Sequence, residues 1–285
     1  MNAVTTEHIE LPSGMFTCYF VRHGERIDHI DDQWTKTATT PYDPPLTSDG
    51  HRQAYKTGNL IYDLEIEAGC ALPNPKDIIS QTSYYVVTSP FLRCVQTSDG
   101  LFRGFSARSK SVQWNVAVEP GLSELMNDQY FDEQVPSTII DKRRSEIKAG
   151  GICSGMRYAT EYVEASQSLP TYPENFQDMM ARFVSALDRT TTYFTNETFK
   201  EDLRSFGPPR RRVAVFVTHG AGINSLIWAT TSKYGRNDAD YCSLTRAKLA
   251  ARRDSRPLAD FGTSRISSFM WNVDYRAYNK HLAIL

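Results

Sequence analysis

The chain predicts an α/β fold of three layers, α/β/α, around a mostly parallel central sheet. Two observations carry this. Apolar runs of strand length alternate with amphipathic runs of helical period along the 285 residues. Three of the apolar runs also share one ending, a sharp polar turn followed by a loop or helix: Arg22-His23-Gly24, Thr88-Ser89-Pro90 and Thr218-His219-Gly220. In open α/β sheets such strand ends collect at one edge, where ligands bind.

The elements follow in order. Met15 to Val21 is an unbroken apolar run and reads as a buried strand. Thr47 or Ser48 offers a hydroxyl cap for a helix to about Leu64, with Ala54, Gly58, Ile61 and Tyr62 on one face. Tyr84 to Thr88 is β-branched and aromatic, the composition of a strand. Pro90 stands where the first turn of a helix tolerates proline, and that helix runs to about Phe102. Val112 to Val118 is a third strand. Residues 119 to 172, rich in Pro and Gly, read as a long irregular span of the kind that forms a lid or insertion. Phe176, Met179, Met180, Phe183, Val184 and Leu187 repeat at helical spacing and mark a helix facing the core. Val213 to Val217 is apolar throughout, which predicts a central strand covered on both faces. A helix from about Gly222 to Tyr234 and a late edge strand, Phe269 to Tyr275, complete the pattern.

Composition narrows the function. The formal net charge is −1, so no global field draws nucleic acid or anionic membrane, and neither is expected as a partner. Attraction for a charged ligand must be local. No run reaches the roughly 20 apolar residues of a membrane helix. The N-terminus, with Glu7 and Glu10, lacks the basic start and apolar centre of a signal peptide. A cytoplasmic or nuclear location is therefore expected. Five scattered cysteines form no CxxC pair, which predicts buried thiols rather than a zinc site or a disulfide framework.

The strand ends carry the chemistry. An arginine offers a planar fork of donors that matches phosphate oxygens. A histidine offers a nucleophilic or proton-shuttling nitrogen near neutral pH. Topology alone brings Arg22, His23 and His219 to one edge, and Arg93, one turn into the second helix, faces the same edge. Asp28, His29, Asp31 and Asp32 match no standard metal-ligand spacing and read as a solvated loop. Trp34, Tyr42 and Phe91 read equally well as an aromatic wall for a leaving group or as filler. Arg210-Arg211-Arg212 and the run Arg246, Lys248, Arg252, Arg253, Arg256 read as solvated basic faces.

Five segments together resemble the histidine phosphatase, or phosphoglycerate-mutase-like, superfamily. They are Val21-Arg22-His23-Gly24-Glu25-Arg26, Pro45-Leu46-Thr47 with Gly50 and Gln53-Ala54, Ser89 to Thr97, Glu119-Pro120-Gly121-Leu122-Ser123-Glu124, and Val217-Thr218-His219-Gly220. The details around Arg26 and Trp34 look closest to the branch of the Sts-type protein tyrosine phosphatases and ecdysteroid-phosphate phosphatase.

The resemblance implies a phosphoglycerate-mutase-like fold and one histidine phosphatase domain over residues 1–285, with the lid or insertion at about 125–172. It implies a phosphatase that needs no metal or cofactor and acts on a phosphorylated small molecule or a phosphoprotein. His23 is then the nucleophile, passing through a phosphohistidine. Arg22, Arg26, Arg93 and His219 bind the phosphoryl group. Glu124 protonates the leaving group and afterwards activates water. Two points stay open in the residues themselves. Arg26 can instead pair with Asp28 or Glu25, and Glu119, Asp128 and Glu133 compete with Glu124. Two other functions stay in play. A phosphoglycerate-type mutase is disfavoured by Arg26-Ile27-Asp28 after the nucleophile motif, and a catalytically silent scaffold is disfavoured by the intact set of five side chains.

Overall fold

The computed structural model describes residues 15–110, 112–197, 210–252 and 267–283. The polar N-terminus and, in the second basic run, Arg253 and Arg256 lie outside them, as does the side chain of Arg252.

Seven strands form one sheet: β1 (Phe16–Arg22), β2 (Thr82–Thr88), β3 (Trp114–Val118), β4 (Arg157–Tyr158), β5 (Arg211–Thr218), β6 (Leu244–Arg252) and β7 (Phe269–Tyr278). Their order is β4-β3-β2-β5-β1-β6-β7. The pairs β4/β3, β3/β2, β2/β5 and β5/β1 are parallel, and β1/β6 and β6/β7 are antiparallel. The predicted central strand is central: β5 lies between β2 and β1, and all of it is buried except half-buried Arg211.

Alternation along the central strands divides the core into two faces. Phe16, Cys18, Phe20, Ala214 and Phe216 pack under α4 (Phe176–Thr192) and α5 (Gly220–Thr231). Tyr19, Val21, Val213, Val215 and Val217 pack under α1 (Ser48–Ala68) and α2 (Leu92–Arg108). Both faces are covered, so these strands are apolar without a polar side. The helices α1 and α2 meet backbone to backbone: a Cβ on Gly58 would lie 2.1 Å from the Leu101 carbonyl oxygen, and one on Gly104 would lie 2.0 Å from that of Tyr55.

Several elements differ from the sequence expectation. The strand β6 was not expected, because Leu-Thr-Arg-Ala-Lys-Leu-Ala-Ala-Arg consists mostly of helix formers; pairing on both sides overrides that propensity. The span 119–172 is not irregular throughout. It contains α3 (Thr138–Lys148) and the short strand β4, which adds to the sheet beside β3. The buried face of α3 has only three apolar residues, Ile139, Ile140 and Ile147, beside buried Arg143, too few for a visible apolar period. This span builds its own apolar cluster, in which Met126, Phe131, Val135, Ile139, Ile140 and Leu169 gather on Phe91. Phe91 and Tyr42 thus pack in that cluster, and the Phe91 ring also meets Arg93 at 4.6 Å and His219 at 5.3 Å. Part of the basic runs is not a solvated face: Arg211 pairs with Glu65, and Arg246 is buried against Asp274, which also holds Lys248, while Arg210 is exposed.

One buried ion pair ties the inserted span to the body of the sheet. Arg143 of α3 meets Asp43, and the other oxygen of Asp43 accepts the Leu92 N–H at the start of α2 at 2.7 Å. Both side chains are almost fully buried. Arg143→Ala would leave that carboxylate desolvated without its cation. A stability loss of about 3–5 kcal/mol is expected from urea denaturation, whereas a loss below about 1 kcal/mol would mark the pair as a surface-like contact.

Candidate active site

The carboxyl ends of β1, β5, β2 and β3 are stitched together by backbone hydrogen bonds that continue the parallel ladders. The His23 N–H donates to the Thr218 carbonyl (2.9 Å), Ser89 to Val217 (3.0 Å) and Glu119 to Thr88 (2.8 Å). The residues expected at the site lie at these strand ends or in the loops and the helix that follow them, and the structure gathers His23, Arg93, Glu124 and His219 into one buried cluster.

The turn after β1 is fixed from α1 and α2. A Cβ on Gly24 would lie 2.5 Å from the Gly50 carbonyl oxygen, so glycine is required here by the neighbouring backbone rather than by a left-handed turn or a ligand's approach. Gly24 N–H donates to Thr97 Oγ1 (3.0 Å), and that hydroxyl donates to the Arg93 carbonyl (2.7 Å). Glu25 N–H donates to Gln53 Oε1 (2.9 Å), and Thr47 Oγ1, the cap of α1, donates to Glu25 Oε1 (2.8 Å) while accepting from Gly50 N–H. The Pro45–Ala54 segment therefore holds the turn that presents His23.

His23 is 1% exposed. Its Nδ1 lies 2.8 Å from the Gly24 carbonyl, which can only accept, so Nδ1 carries the proton and Nε2 keeps its lone pair. Burial lowers the pKa of this imidazole well below 6.5, and Arg93 and Arg22 push in the same direction. His23 is therefore neutral at neutral pH and has one nucleophilic nitrogen. The ring of His219 stands edge-on to it, with centroids 5.4 Å apart. Burial, then Arg93 and His23, likewise hold His219 well below 6.5.

His219 Nδ1 lies 3.2 Å from Arg93 Nη2 and 3.3 Å from Glu124 Oε2, while Nε2 lies 3.0 Å from Ser89 Oγ. The guanidinium can only donate, so Nδ1 accepts from it and Nε2–H donates to Ser89. A hydroxyl both donates and accepts, so Ser89 also tolerates the other tautomer.

Arg93 is 1% exposed, and its Nε and Nη1 have no hydrogen-bond partner among the described residues. The Nε of Arg22 is in the same state. Buried guanidinium donors without acceptors are costly, and an anion seated among them removes the cost. Arg22 is otherwise held by the Ala239 carbonyl (2.8 Å) and lies over the Tyr241 ring at 4.4 Å. Arg26 makes a two-bond pair with Asp28, the alternative left open by the sequence, yet its charge still reaches the cluster and depresses His23, Arg93 and His219.

Glu124 is the carboxylate in the cluster, with Oε2 4.0 Å from Arg93 Nη2. Its competitors stand elsewhere. Glu119 is consumed by structure, accepting from the N–H groups of Gly121, Ala165 and Ser166 and from the Tyr162 hydroxyl. Asp128 and Glu133 are exposed. One ligand atom each of His23, Glu124 and His219 lies within 4.8 Å of the others, and among the described residues no other set of three His, Cys, Asp or Glu side chains is gathered so closely. A cation there would sit against the Arg93 guanidinium, so the charge of the site suits an anion. The Asp28–Asp32 loop forms no such cluster.

Several residues of the site had no sequence signal of their own. Tyr241 carries Arg22 on its ring, hydrogen-bonds His29 and borders His23 at 5.8 Å. It also lines a groove of about 580 Å³ with Arg22, His29, Gln53 and the turn at Asn279–Ala283. Ser89 and Thr97 lie inside a quoted motif, but only the fold shows what their hydroxyls hold.

No helix of the described residues is long and apolar enough to cross a membrane. No curated protein matches the chain by sequence. Among solved structures, the chain is similar to the ecdysone phosphate phosphatase of Bombix mori, solved with tungstate: 17% identity, 92% of each chain covered, TM-score 0.50. It is also similar to a phosphoglycerate mutase of Bacillus anthracis, at 14% identity over 94% of this chain and 95% of that one, with a TM-score of 0.48. At 17% identity the likeness to the first is one of fold. The model of the histidine phosphatase superfamily (branch 1) matches residues 18–255, which take in six of the seven strands and all of the clustered side chains, and the chain belongs to that superfamily.

Proposed function

We propose that this protein is a phosphatase that hydrolyses a phosphomonoester in two steps through a phosphohistidine on His23. The observation that carries the proposal is the Arg93 guanidinium, buried with two unpartnered nitrogens beside a neutral imidazole whose free nitrogen is Nε2. Phosphoryl transfer needs positive charge on the non-bridging oxygens and a nucleophile in line with the leaving oxygen. Arg93 and Arg22 supply the charge without a metal. In the first step Nε2 of His23 attacks phosphorus, the ester P–O bond breaks, and Glu124 gives its proton to the leaving oxygen. In the second, Glu124 takes a proton from water as that water attacks the phosphohistidine, releasing inorganic phosphate and restoring His23. His219 donates to a phosphoryl oxygen through Nδ1–H, in the tautomer that leaves Nε2 to accept from the Ser89 hydroxyl.

A phosphate-release screen over sugar, nucleotide, aryl and peptidyl phosphates, with EDTA present, tests this reading. Release of inorganic phosphate is expected. Transfer from 3-phosphoglycerate to its isomer without release would identify a mutase instead.

The buried histidines also set a pH dependence. Their folded pKa values lie below the unfolded 6.5, so as pH falls below 6.5 the unfolded chain binds protons that the folded protein refuses. The stability is fully present above 6.5 and declines as pH falls toward the depressed folded values. His281, lowered to about 4, adds to the same slope. Urea midpoints at about pH 7.5 and about pH 5.5 should show the decline, with a smaller one in His23→Gln. An equal decline in both proteins would remove His23 as a cause.

A further inference from the structure

Arg182 of α4 is the counterpart of Arg93: a well-buried guanidinium with every donor occupied. Its Nε and Nη2 bond the two carboxylate oxygens of Glu174 at 2.9 and 2.8 Å. Nη1 donates to the carbonyls of Gly121 (2.7 Å) and Ser123 (3.0 Å), and Nη2 to that of Glu124 (3.4 Å). Five hydrogens meet five acceptors, so nothing is left for a substrate. Glu174 closes the arrangement from the other side. Its carboxylate accepts the Met126 N–H (3.2 Å), and its own N–H donates to the Met126 carbonyl (2.6 Å). The backbone from Gly121 to Met126 is thereby held at four of its carbonyls, on both sides of Glu124.

We infer that Arg182 and Glu174 form a positioning pair that fixes the proton-donating carboxyl of Glu124 at the site. The loop bearing Glu124 has no regular structure after the turn at Pro120–Leu122. A proton donor must hold hydrogen-bond geometry to the leaving oxygen, so a loop carrying one needs an external brace. A planar five-donor fork is the side chain that can grip several carbonyls and a carboxylate at once. The sequence hides this role, because Arg182 directly precedes Phe183 on a helix whose apolar stripe accounts for its pattern.

The inference rests on the reading of Glu124 as the acid, and the test separates the two. The quantity read is kcat/KM, which reports steps up to formation of the phosphoenzyme, for p-nitrophenyl phosphate and for ethyl phosphate. The first has a leaving group that departs with little protonation; the second requires the acid. In Arg182→Gln, p-nitrophenyl phosphate should lose no more than about threefold and ethyl phosphate about 30-fold or more. Glu124→Gln should show the same selectivity, and the double variant no further loss on ethyl phosphate. Glu174→Gln, which keeps shape and one hydrogen-bonding oxygen, should show a weaker loss of the same sign and guards against misfolding of the arginine variant. Arg182→Lys should rescue little, since an ammonium cannot reproduce the fork. Equal losses on both substrates, or none, in folded Arg182→Gln and Glu174→Gln overturn the positioning role while a selective Glu124→Gln leaves the acid in place. A Glu124→Gln variant without leaving-group selectivity overturns the acid reading itself.

Discussion

His23→Ala is expected to lower kcat on p-nitrophenyl phosphate by at least about 10⁴-fold, the scale on which loss of a nucleophile acts, with its thermal midpoint close to that of the parent. The reason lies in what surrounds the ring. Nδ1–H is committed to the Gly24 carbonyl, so Nε2 is the only nitrogen of this ring able to attack, whereas both ring nitrogens of His219 are engaged, by Arg93 and by Ser89. Cys94 is near His219, but burial pushes its thiol up to about 12, which leaves it uncharged and unreactive. The phosphoryl cradle survives in the variant, so inorganic phosphate or tungstate should still raise its melting temperature. Loss of that shift together with activity would point to a collapsed site instead of a missing nucleophile.

Arg93→Met is expected to cost about 10³-fold or more in kcat/KM, by analogy with other arginines that meet phosphoryl charge in the transition state. Its effect on stability should run the other way. The guanidinium is buried, lies near the charge of Arg26, and has two nitrogens without acceptors. Burial, followed by Arg26, lowers its pKa, a sign that the folded protein holds this cation at a cost. A hydrophobic side chain of similar length removes that cost, so the melting temperature should hold or rise while activity is lost. A fall in both would make Arg93 a structural residue whose hydrogen bond to His219 matters more than any ligand.

Much of the site was legible because strand chemistry announces itself. The apolar run of β1 and the polar Arg22-His23-Gly24 that ends it are adjacent in sequence, and the parallel topology carries Thr218-His219 to the same edge. Arg93 was legible because one helical turn from a strand end is a short, predictable distance. What could not be read depended on long-range contacts. Glu124 stood apart from Glu119 only when the structure showed Glu119 occupied by the nearby Gly121 N–H and by two N–H groups and a tyrosine from a span some 45 residues away. Arg26 has two bonds to Asp28, two residues on, and the sequence left that pairing as an alternative. The strand β6 was hidden for a different reason: its residues favour helix, and only pairing with β1 and β7 decides otherwise. Arg246 and Lys248, which read as a basic face, are strand residues matched to Asp274.

The central claim is that phosphorus is bonded to Nε2 of His23 during turnover. Rapid mixing with p-nitrophenyl phosphate, quenching in base to preserve an acid-labile phosphoramidate, and peptide mass analysis test it most directly. One phosphoryl group should appear on the peptide carrying His23, disappear on acid treatment, and be absent from His23→Ala. A phosphoryl group on any other residue, or steady release of phosphate by the His23→Ala variant at the parent's rate, would contradict it.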